Sequence, residues 1–192
     1  MSNIQLDYSD ITDIFKEKLK IDNIVKKVSS IFLNQRYAGK INYKPYFQRN
    51  YVWDEEKATY FIESILLGTE IPPLVLFQTK DKNEVIDGRQ RYETIKRFLE
   101  DKLVLKDKGL HSLKALSGKK YSQLDPETRE LFEDTRIRIL QFNVVDEPKL
   151  EEEKEEKIKK EIFRRYNSGI TPLQKYDIDR AAFINDELSQ LL

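Results

Sequence analysis

The sequence of 192 residues contains no cysteine and a single histidine, His111. Without cysteine the chain can form no disulfide, carry no thiol nucleophile and bind no zinc through sulfur, which fits a reducing cytosol. With one histidine it cannot build a two-histidine metal site, and a Ser-His-Asp triad would have to use His111. That residue lies in a lysine-rich, loop-like stretch, so we expect it to be an exposed loop residue.

Neither sign of charge is in excess, because 34 basic residues are balanced by 34 acidic ones. A general attraction to nucleic acid is therefore absent, although a local basic patch remains open. No apolar run approaches the roughly 20 residues needed to cross a bilayer, and the polar N-terminus lacks the apolar core of a signal peptide. We expect a cytoplasmic protein with no membrane partner and enough apolar residues to fold around a core.

Hydrophobic spacing predicts the order of helices and strands. Residues 10–33 have helix-like spacing, and Asn23 could cap a second helix within them. The pattern of residues 54–100 predicts, in order, a helix, a strand, a hairpin turn, a strand, a turn and a helix. This is the part of the sequence whose secondary structure is most clearly indicated. After a lysine-rich loop and another helix, residues 136–145 alternate as in a strand. Residues 147–160 are dense in Glu and Lys and predict a solvated helix with i,i+4 ion pairs.

The chain divides by this pattern into three parts. Residues 1–35 are predicted to be an N-terminal helical extension, residues 36–146 a core, and residues 147–192 a helical segment with a distal loop. Apolar residues continue to Leu192 without a closing cap, so we expect the chain to be cut before a further C-terminal domain.

The junction at residues 85–91 predicts a strand, a turn at Gly88 and the start of a helix. Glycine permits a positive φ and lets a ligand approach the backbone closely. The N-terminus of the helix offers N–H groups and the positive end of its dipole to an anion. Arg89 and Arg91 can form forked hydrogen bonds with phosphate oxygens. The junction therefore predicts a phosphate site.

The neighbouring polar residues extend this prediction. Gln90 can contact a phosphate, a base edge or a water, and Asp87 can hold a cation or orient an attacking water. The alternative is that Asp87 and Gly88 form only a tight turn and that the arginines are solvated, because short motifs often occur by chance.

A second candidate element occupies residues 45–53, just before a predicted helix. Gln48 and Arg49 lie between aromatic residues, and two polar residues in an apolar run need a partner. Arg49 could reach a phosphate while an aromatic ring stacks on a base. Val52 and Trp53 are interpreted as core anchors.

A third candidate element occupies residues 163–173, where a helix ends on an Asn-Ser-Gly loop and a new helix begins. A small polar loop at a helix N-terminus can contact an anion or a ribose. An ordinary capped helix-loop-helix explains most of this pattern but does not explain why Arg165 and Asn167 are present.

Together the three elements resemble the N-terminal domain of GmrSD-type restriction systems, in the ParB/sulfiredoxin superfamily, from about residue 40 to about residue 183. Three residues depart from the family pattern: Arg89 replaces the usual Gln, Tyr166 an aliphatic residue, and Phe47 a Tyr. The elements read here as Phe47-Gln48-Arg49-Asn50-Tyr51-Val52-Trp53, Ile86-Asp87-Gly88-Arg89-Gln90-Arg91 and Phe163-Arg164-Arg165-Tyr166-Asn167-Ser168-Gly169-Ile170-Thr171-Pro172-Leu173.

The resemblance implies an α+β, ParB-like domain with a small mixed sheet, flanking helices and a helical C-terminal part. It implies binding of ATP, GTP or CTP with Mg²⁺, and hydrolysis of that nucleotide, with Asp87, Gln90 and Arg91 as catalytic residues. No metal site made of protein side chains is expected. The expected nucleotide-binding residues are Gly88, Arg89, Gln48, Arg49, Arg165, Asn167 and Gly169.

The resemblance also implies partners. In relatives this domain governs a nuclease domain, in the same chain or in a partner, in defence against foreign DNA. With one histidine, no nuclease activity is expected from these residues. The alternative function is a non-enzymatic DNA-binding or interaction module that uses the same basic loop on DNA phosphates. A ParB-like nuclease ranks last because no metal-carboxylate cluster is evident.

Overall fold

The computed structural model describes residues 14–43, 50–145 and 151–167. These residues divide into two compact units. One unit is Asn23–Gln141, and the other contains the described residues 14–22, 142–145 and 151–167. The three-part division predicted from the sequence stays a prediction. No described helix has the length and apolar character needed to cross a membrane.

Within the described residues, five strands form one mixed sheet. They are β1 (Leu19–Lys27), β2 (Ile41–Asn42), β3 (Leu74–Gln78), β4 (Asn83–Asp87) and β5 (Arg136–Val144). The strand order is β1-β5-β3-β4-β2, with β3 and β4 antiparallel and β2 parallel to β4. Together with the helices, this sheet confirms the α+β class and the small mixed sheet.

The helices follow the local signals of the sequence. Asp54 caps the second helix through its Oδ1, which accepts a hydrogen bond from Lys57 N at 2.7 Å, and Gly68 follows the helix with a φ of 68°. The helix predicted to begin at about residue 54 is thus confirmed, with a side-chain cap at its start and a glycine just past its end. The helices are α1 (Gln35–Ala38), α2 (Glu55–Leu66), α3 (Arg89–Leu99), α4 (Pro126–Asp134) and α5 (Glu152–Asn167); π-helical turns occupy Ile14–Lys18 and Ser29–Leu33, and 3₁₀ turns occupy Asp107–Gly109, Lys114–Leu116 and Tyr121–Gln123.

The helix expected through residues 10–33 is wrong where β1 forms. From Asn23 to Lys27, exposed and half-buried side chains alternate, as they do along a strand that is covered on one face. The β-branched residues Ile24 and Val25 favour this extended backbone. The few apolar residues of this highly charged segment are spaced in a way that fits both the 3.6-residue repeat of a helix and the two-residue repeat of a strand. Pairing with β5 favours the strand.

The core of the unit Asn23–Gln141 lies between the sheet and the helices α2, α3 and α4. Phe98 and Phe132 are fully buried, with their rings edge-on at 5.3 Å, and Tyr121 packs edge-on to Phe98 at 5.8 Å. Full burial of an aromatic side chain contributes about 1.5–3 kcal/mol. Helix α3 adds Tyr92 and Ile95 to this core, so the helix that follows the Gly88 turn is fixed by its packing.

Helix α2 holds the long loop between α3 and α4 through two buried polar side chains. Thr59 and Glu63, one turn apart, are 0% and 1% exposed. The Glu63 carboxylate accepts hydrogen bonds from the backbone N–H groups of His111, Ser112 and Leu113 at 2.7–2.9 Å. Thr59 Oγ1 accepts another from Lys106 N at 3.0 Å. His111 is exposed in this loop, as expected.

The surroundings of Glu63 favour its charged form. Burial alone would raise the pKa of this carboxyl, but the backbone N–H groups of Leu113, His111 and Ser112 lower it further than burial raises it. Because the pKa of the folded state is below that of the unfolded chain, the carboxylate adds stability at pH values above about 4.3. That stability is lost as the pH falls through the folded-state pKa.

We predict that Glu63→Gln lowers the free energy of unfolding by about 2 kcal/mol at neutral pH, because hydrogen bonds to a charged acceptor are replaced by bonds to a neutral one. Urea unfolding measures this difference. The difference from the parent chain should shrink as the pH falls from about 5, where the parent begins to lose the contribution of the charge.

Glu70→Gln is the matched control, because the Glu70 side chain is 82% exposed and pairs only at the surface with Arg138. It should change stability by less than about 0.5 kcal/mol. Equal effects of the two substitutions, or a difference at Glu63 that is constant with pH, would contradict the role given to this carboxylate.

Candidate functional site

The turn at Gly88 joins β4 directly to α3. Gly88 has a φ of 89° and a ψ of 14°, and no side chain caps the helix that begins at Arg89. A Cβ atom at position 88 would lie 2.7 Å from Leu74 Cδ2 and 2.9 Å from Arg91 Nη2. Both the backbone angle and the space therefore require glycine, and the predicted strand-turn-helix junction is confirmed.

Arg91 ties this turn to the segment before β3. Its Nη2 donates to Asp87 Oδ2 at 2.8 Å and to the carbonyl oxygen of Pro73 at 3.0 Å. The side chains of Arg91 and Asp87 are 17% and 27% exposed. The guanidinium group is thus held in one place, with part of its charge offset by the carboxylate.

Arg89 is the more buried of the two arginines at the turn. Its side chain is 10% exposed, and its Nε lies 3.6 Å from Glu93 Oε2 one helical turn away. The sequence-based alternative of two solvated arginines is therefore wrong. The two arginines are each paired with a carboxylate, Arg89 with Glu93 and Arg91 with Asp87, so the side-chain charges at the turn balance.

Gln90 fastens α3 to the segment before α2. Its Oε1 accepts hydrogen bonds from the backbone N–H groups of Val52 at 2.9 Å and Trp53 at 3.3 Å, and its Nε2 donates to Asn50 O at 3.0 Å. The amide thus binds backbone on both of its ends. Val52 is 68% exposed, so its interpretation as a core anchor is wrong: the backbone amide of Val52 is held, and its side chain is not.

The aromatic residues of the same segment pack on α3 and α2. The Tyr51 hydroxyl lies 3.0 Å from Thr94 Oγ1, and the Arg97 guanidinium stacks 4.6 Å from the centre of the Tyr51 ring. Trp53 packs edge-on against Phe61 at 5.3 Å, as a core anchor should. The first and second sequence elements are thus brought together through residues 50–53.

A cleft of about 720 Å³ lies next to the Gly88 turn. Arg91 lines it, together with the aromatic side chains of Trp53, Tyr60 and Phe61 and with His111. Tyr60 is 53% exposed, and its ring is edge-on to His111 at 5.2 Å. Arg91 therefore belongs both to the turn and to the wall of a cavity of ligand size.

The remaining site residues predicted from the sequence do not lie in the unit that contains the Gly88 turn, or lie outside the described residues. Arg165 is on α5, where its Nε donates to Glu161 Oε1 at 2.7 Å and its guanidinium lies 5.7 Å from the centre of the Phe15 ring. Asn167 is the last residue of α5. The side chain of Asn167 lies outside the described residues, as do Gln48, Arg49 and Gly169. The functions predicted for these residues stay predictions.

The Glu161 carboxyl beside Arg165 is also perturbed. Burial alone would raise its pKa, but Arg164 and Arg165 lower it further, so that its pKa lies below the usual range. The charged segment before it is helical from Glu152, with the predicted i,i+4 ion pairs Lys157–Glu153 and Lys159–Glu155.

Two features of the site have weaker signals in the sequence. Glu63 interrupts the apolar face of α2 between Ile62 and Ile65, and a carboxylate on such a face needs donors. Tyr60 lies one turn before Glu63 on the same helix, and as an exposed aromatic residue outside the apolar stripe it carries no periodic signal. Among the described residues, no group of three or more His, Asp and Glu side chains could hold a metal ion.

Comparison with known families places most of the chain in a described domain family. The family model described as "GmrSD restriction endonuclease, N-terminal domain" matches residues 28–184, which is most of the chain. Comparisons with curated proteins and with solved structures each gave no match.

We predict that Gly88→Ala destabilises the chain by about 2–4 kcal/mol, because it adds a clash to an unfavourable backbone angle. Thermal or urea unfolding measures the loss. Gly118→Ala is the matched control, since Gly118 has a φ of 78° but nothing within 4 Å of its added Cβ; it should cost about 1 kcal/mol. Equal costs at the two positions would show that crowding at Gly88 has no effect.

We predict that Gln90→Ala frees the backbone of residues 50–53, because three hydrogen bonds are lost at once. Amide hydrogen exchange at Val52 and Trp53 should become at least tenfold faster, which corresponds to about 1.4 kcal/mol of local stability. Lys96→Ala, at a partly exposed position on the same helix, should leave these rates unchanged. Unchanged exchange in Gln90→Ala would mean that other contacts hold this segment.

Proposed function

The chain belongs to the GmrSD restriction endonuclease N-terminal domain family, and on this basis we propose that it binds and hydrolyses a nucleoside triphosphate as a regulatory domain. The family gives the chain a role in a restriction or phage-defence system. The finer proposal concerns what the domain does within that system. The observation that carries it is the glycine turn, with a positive φ and no side-chain cap, at the start of an 11-residue helix.

This turn supports phosphate binding in two ways. Gly88, the N-cap residue of α3, has no side chain that could occupy the turn, and the positive end of the helix dipole there favours an anion. Arg91 is already fixed by Asp87 and the Pro73 carbonyl, so little reorganisation is needed when a charged group arrives. Arg89, where relatives usually have Gln, adds a second guanidinium at the same turn.

Asp87 fits a magnesium-nucleotide complex. Mg²⁺ bound to a triphosphate keeps phosphate and water oxygens as ligands and needs only one or two carboxylates from the protein. Asp87 supplies a carboxylate at the turn, and its side chain is partly exposed. When bound, Mg²⁺ supplies positive charge that offsets the charge developing on the γ-phosphate.

The proposed reaction is hydrolysis of the terminal phosphoanhydride. A water oxygen bonds to the γ-phosphorus while the bond from that phosphorus to the β,γ-bridging oxygen breaks, giving a nucleoside diphosphate and inorganic phosphate. Asp87 would orient the water and pass its proton to solvent, and Arg91 would hold the phosphate charge. Gln90 would act by positioning residues 50–53, since its amide is already bound to their backbone.

A role in nucleotide binding is also proposed for five further residues predicted from the sequence. The nucleotide is ATP, GTP or CTP, and the regulated partner is a nuclease domain in the full-length chain or in a separate protein that acts on DNA. These five residues are Gln48 and Arg49 in the element of residues 45–53, and Arg165, Asn167 and Gly169 in the element of residues 163–173.

Direct DNA binding by the same arginines is less well supported. Binding to the DNA backbone depends on cations that can reach phosphates along a duplex and release counterions. The Arg89 and Arg91 side chains are only 10% and 17% exposed, and each lies beside a carboxylate. A recessed, charge-balanced turn suits a small anion that enters the site better than it suits a DNA duplex.

We predict that the purified chain releases phosphate from a nucleoside triphosphate in the presence of Mg²⁺. Asp87→Ala and Arg91→Ala should each lower the rate by roughly 100-fold or more, the loss expected when one group that stabilises the transition state is removed. Asp87→Asn and Arg91→Lys, which preserve more of the packing, should also be slow. Circular dichroism checks that each variant is folded.

Arg36→Ala is the matched control, because Arg36 is an exposed arginine on α1; it should hydrolyse as fast as the parent. Equal rates for folded Asp87→Ala, Arg91→Ala and parent would refute the site. DNA binding that weakens steeply with salt, without any nucleotide-induced thermal shift, would instead support the DNA-binding alternative.

A further inference from the structure

The aromatic cleft next to Arg91 is a second candidate ligand-binding feature, beside the Gly88 turn. Trp53 and Phe61 line it as an edge-on pair, and Tyr60 and His111 line it as another edge-on pair. Tyr60 is more than half exposed. We propose that this cleft binds the nucleoside part of the nucleotide, with its base against these rings and its phosphates toward Arg91. The inference rests on the proposed nucleotide site and identifies where the base lies.

The Glu63 carboxylate fixes one wall of the cleft through hydrogen bonds to the backbone of His111 and Ser112. That carboxylate fixes the N–H groups of His111 and Ser112 at 2.7–2.9 Å, and so places the His111 ring against Tyr60. Helix α2 provides both Tyr60 and Glu63, so one rigid element carries the ring and the anchor of its neighbour. A preformed cleft loses little conformational entropy when a ligand enters.

The charges along the cleft fix the direction of the ligand. Two carboxylates, Glu63 and Glu70, and one arginine, Arg91, line it. A triphosphate is tolerated only near Arg91, because elsewhere it meets carboxylates and aromatic carbon. A neutral, planar base suits the rings of Tyr60 and Trp53, since stacking requires no charge.

The dimensions of the cleft agree with a single nucleotide. About 720 Å³ falls within the 300–1,000 Å³ typical of small-molecule sites. Gln90 adds a link between the two ends, because it holds the Trp53 backbone while it sits on the first turn of α3. The base end and the phosphate end are thus joined through one side chain.

The chain has its own probe for this site, because Trp53 is its only tryptophan. We expect ATP, GTP or CTP with Mg²⁺ to change the Trp53 emission on titration, whereas inorganic triphosphate with Mg²⁺ should bind without that change. Calorimetry measures both affinities in parallel. Tyr60→Ala and His111→Ala should each weaken nucleotide binding by roughly tenfold, as expected for one lost stacking contact, and leave triphosphate binding unchanged.

Leu131→Ala is the control for surface truncation, because Leu131 is 54% exposed on α4 and does not line the cleft. It should bind nucleotide as the parent does. Tyr60→Phe keeps the ring and should restore the affinity lost in Tyr60→Ala. Weaker triphosphate binding in Tyr60→Ala would overturn the inference, because the substitution would then act through the phosphate end.

The remaining outcomes separate this inference from the proposed function. Equal affinities for nucleotide and triphosphate, with steady Trp53 emission, would place the base elsewhere and leave the phosphate site standing. Binding of neither ligand would overturn both. A change in Trp53 emission with a single-stranded oligonucleotide or an apolar peptide, but not with mononucleotides, would show that a different ligand occupies the cleft and would overturn the inference.

Discussion

The reversal of the chain at Gly88 is the constraint on which the rest of the unit Asn23–Gln141 depends. Strand β4 pairs with β3 up to Asp87, and α3 starts two residues later. Gly88 makes this change of direction in one residue with a positive φ, and Leu74 and Arg91 leave no room for a Cβ there. The direction of α3 follows from that turn, and with it the burial of Tyr92, Ile95 and Phe98. The same geometry leaves the N-terminus of α3 without a side-chain cap.

Around this turn, irregular segments are held by single polar side chains on helices. Glu63 and Thr59 on α2 fix the loop that follows α3, and Gln90 on α3 fixes the segment that precedes α2. Helix α2 thus binds the backbone of the loop that follows α3, and α3 binds the backbone of the segment that precedes α2. Backbone groups in loops need partners as much as those in helices and strands do. Both the phosphate turn and the aromatic cleft take their shape from these cross-connections.

The sequence predicted the parts of this arrangement that depend on neighbouring residues. The turn at Gly88, the helix that begins after Asp54 and the strand through residues 136–144 follow from local chemistry and are confirmed. The strand β1 was missed because its extended form comes from pairing with β5, which is distant in sequence. The role of Gln90 was missed for a related reason: its partners are backbone atoms some 40 residues earlier, and these leave no mark in residue types. Family resemblance supplied the expectation of a nucleotide, which spacing alone left open.

The contacts of Gln90 have a consequence for how this surface can vary. Its amide recognises only main-chain atoms of Asn50, Val52 and Trp53, and every residue except proline offers the same N–H and C=O groups there. The side chain at position 52 points to water and can change freely without loosening the connection. Position 90 has no such freedom, because few side chains combine an acceptor and a donor at that reach. Tolerance to mutation is therefore unequal across this contact: position 52 can change in sequence, and could be re-engineered, while the path of its segment over α3 stays the same.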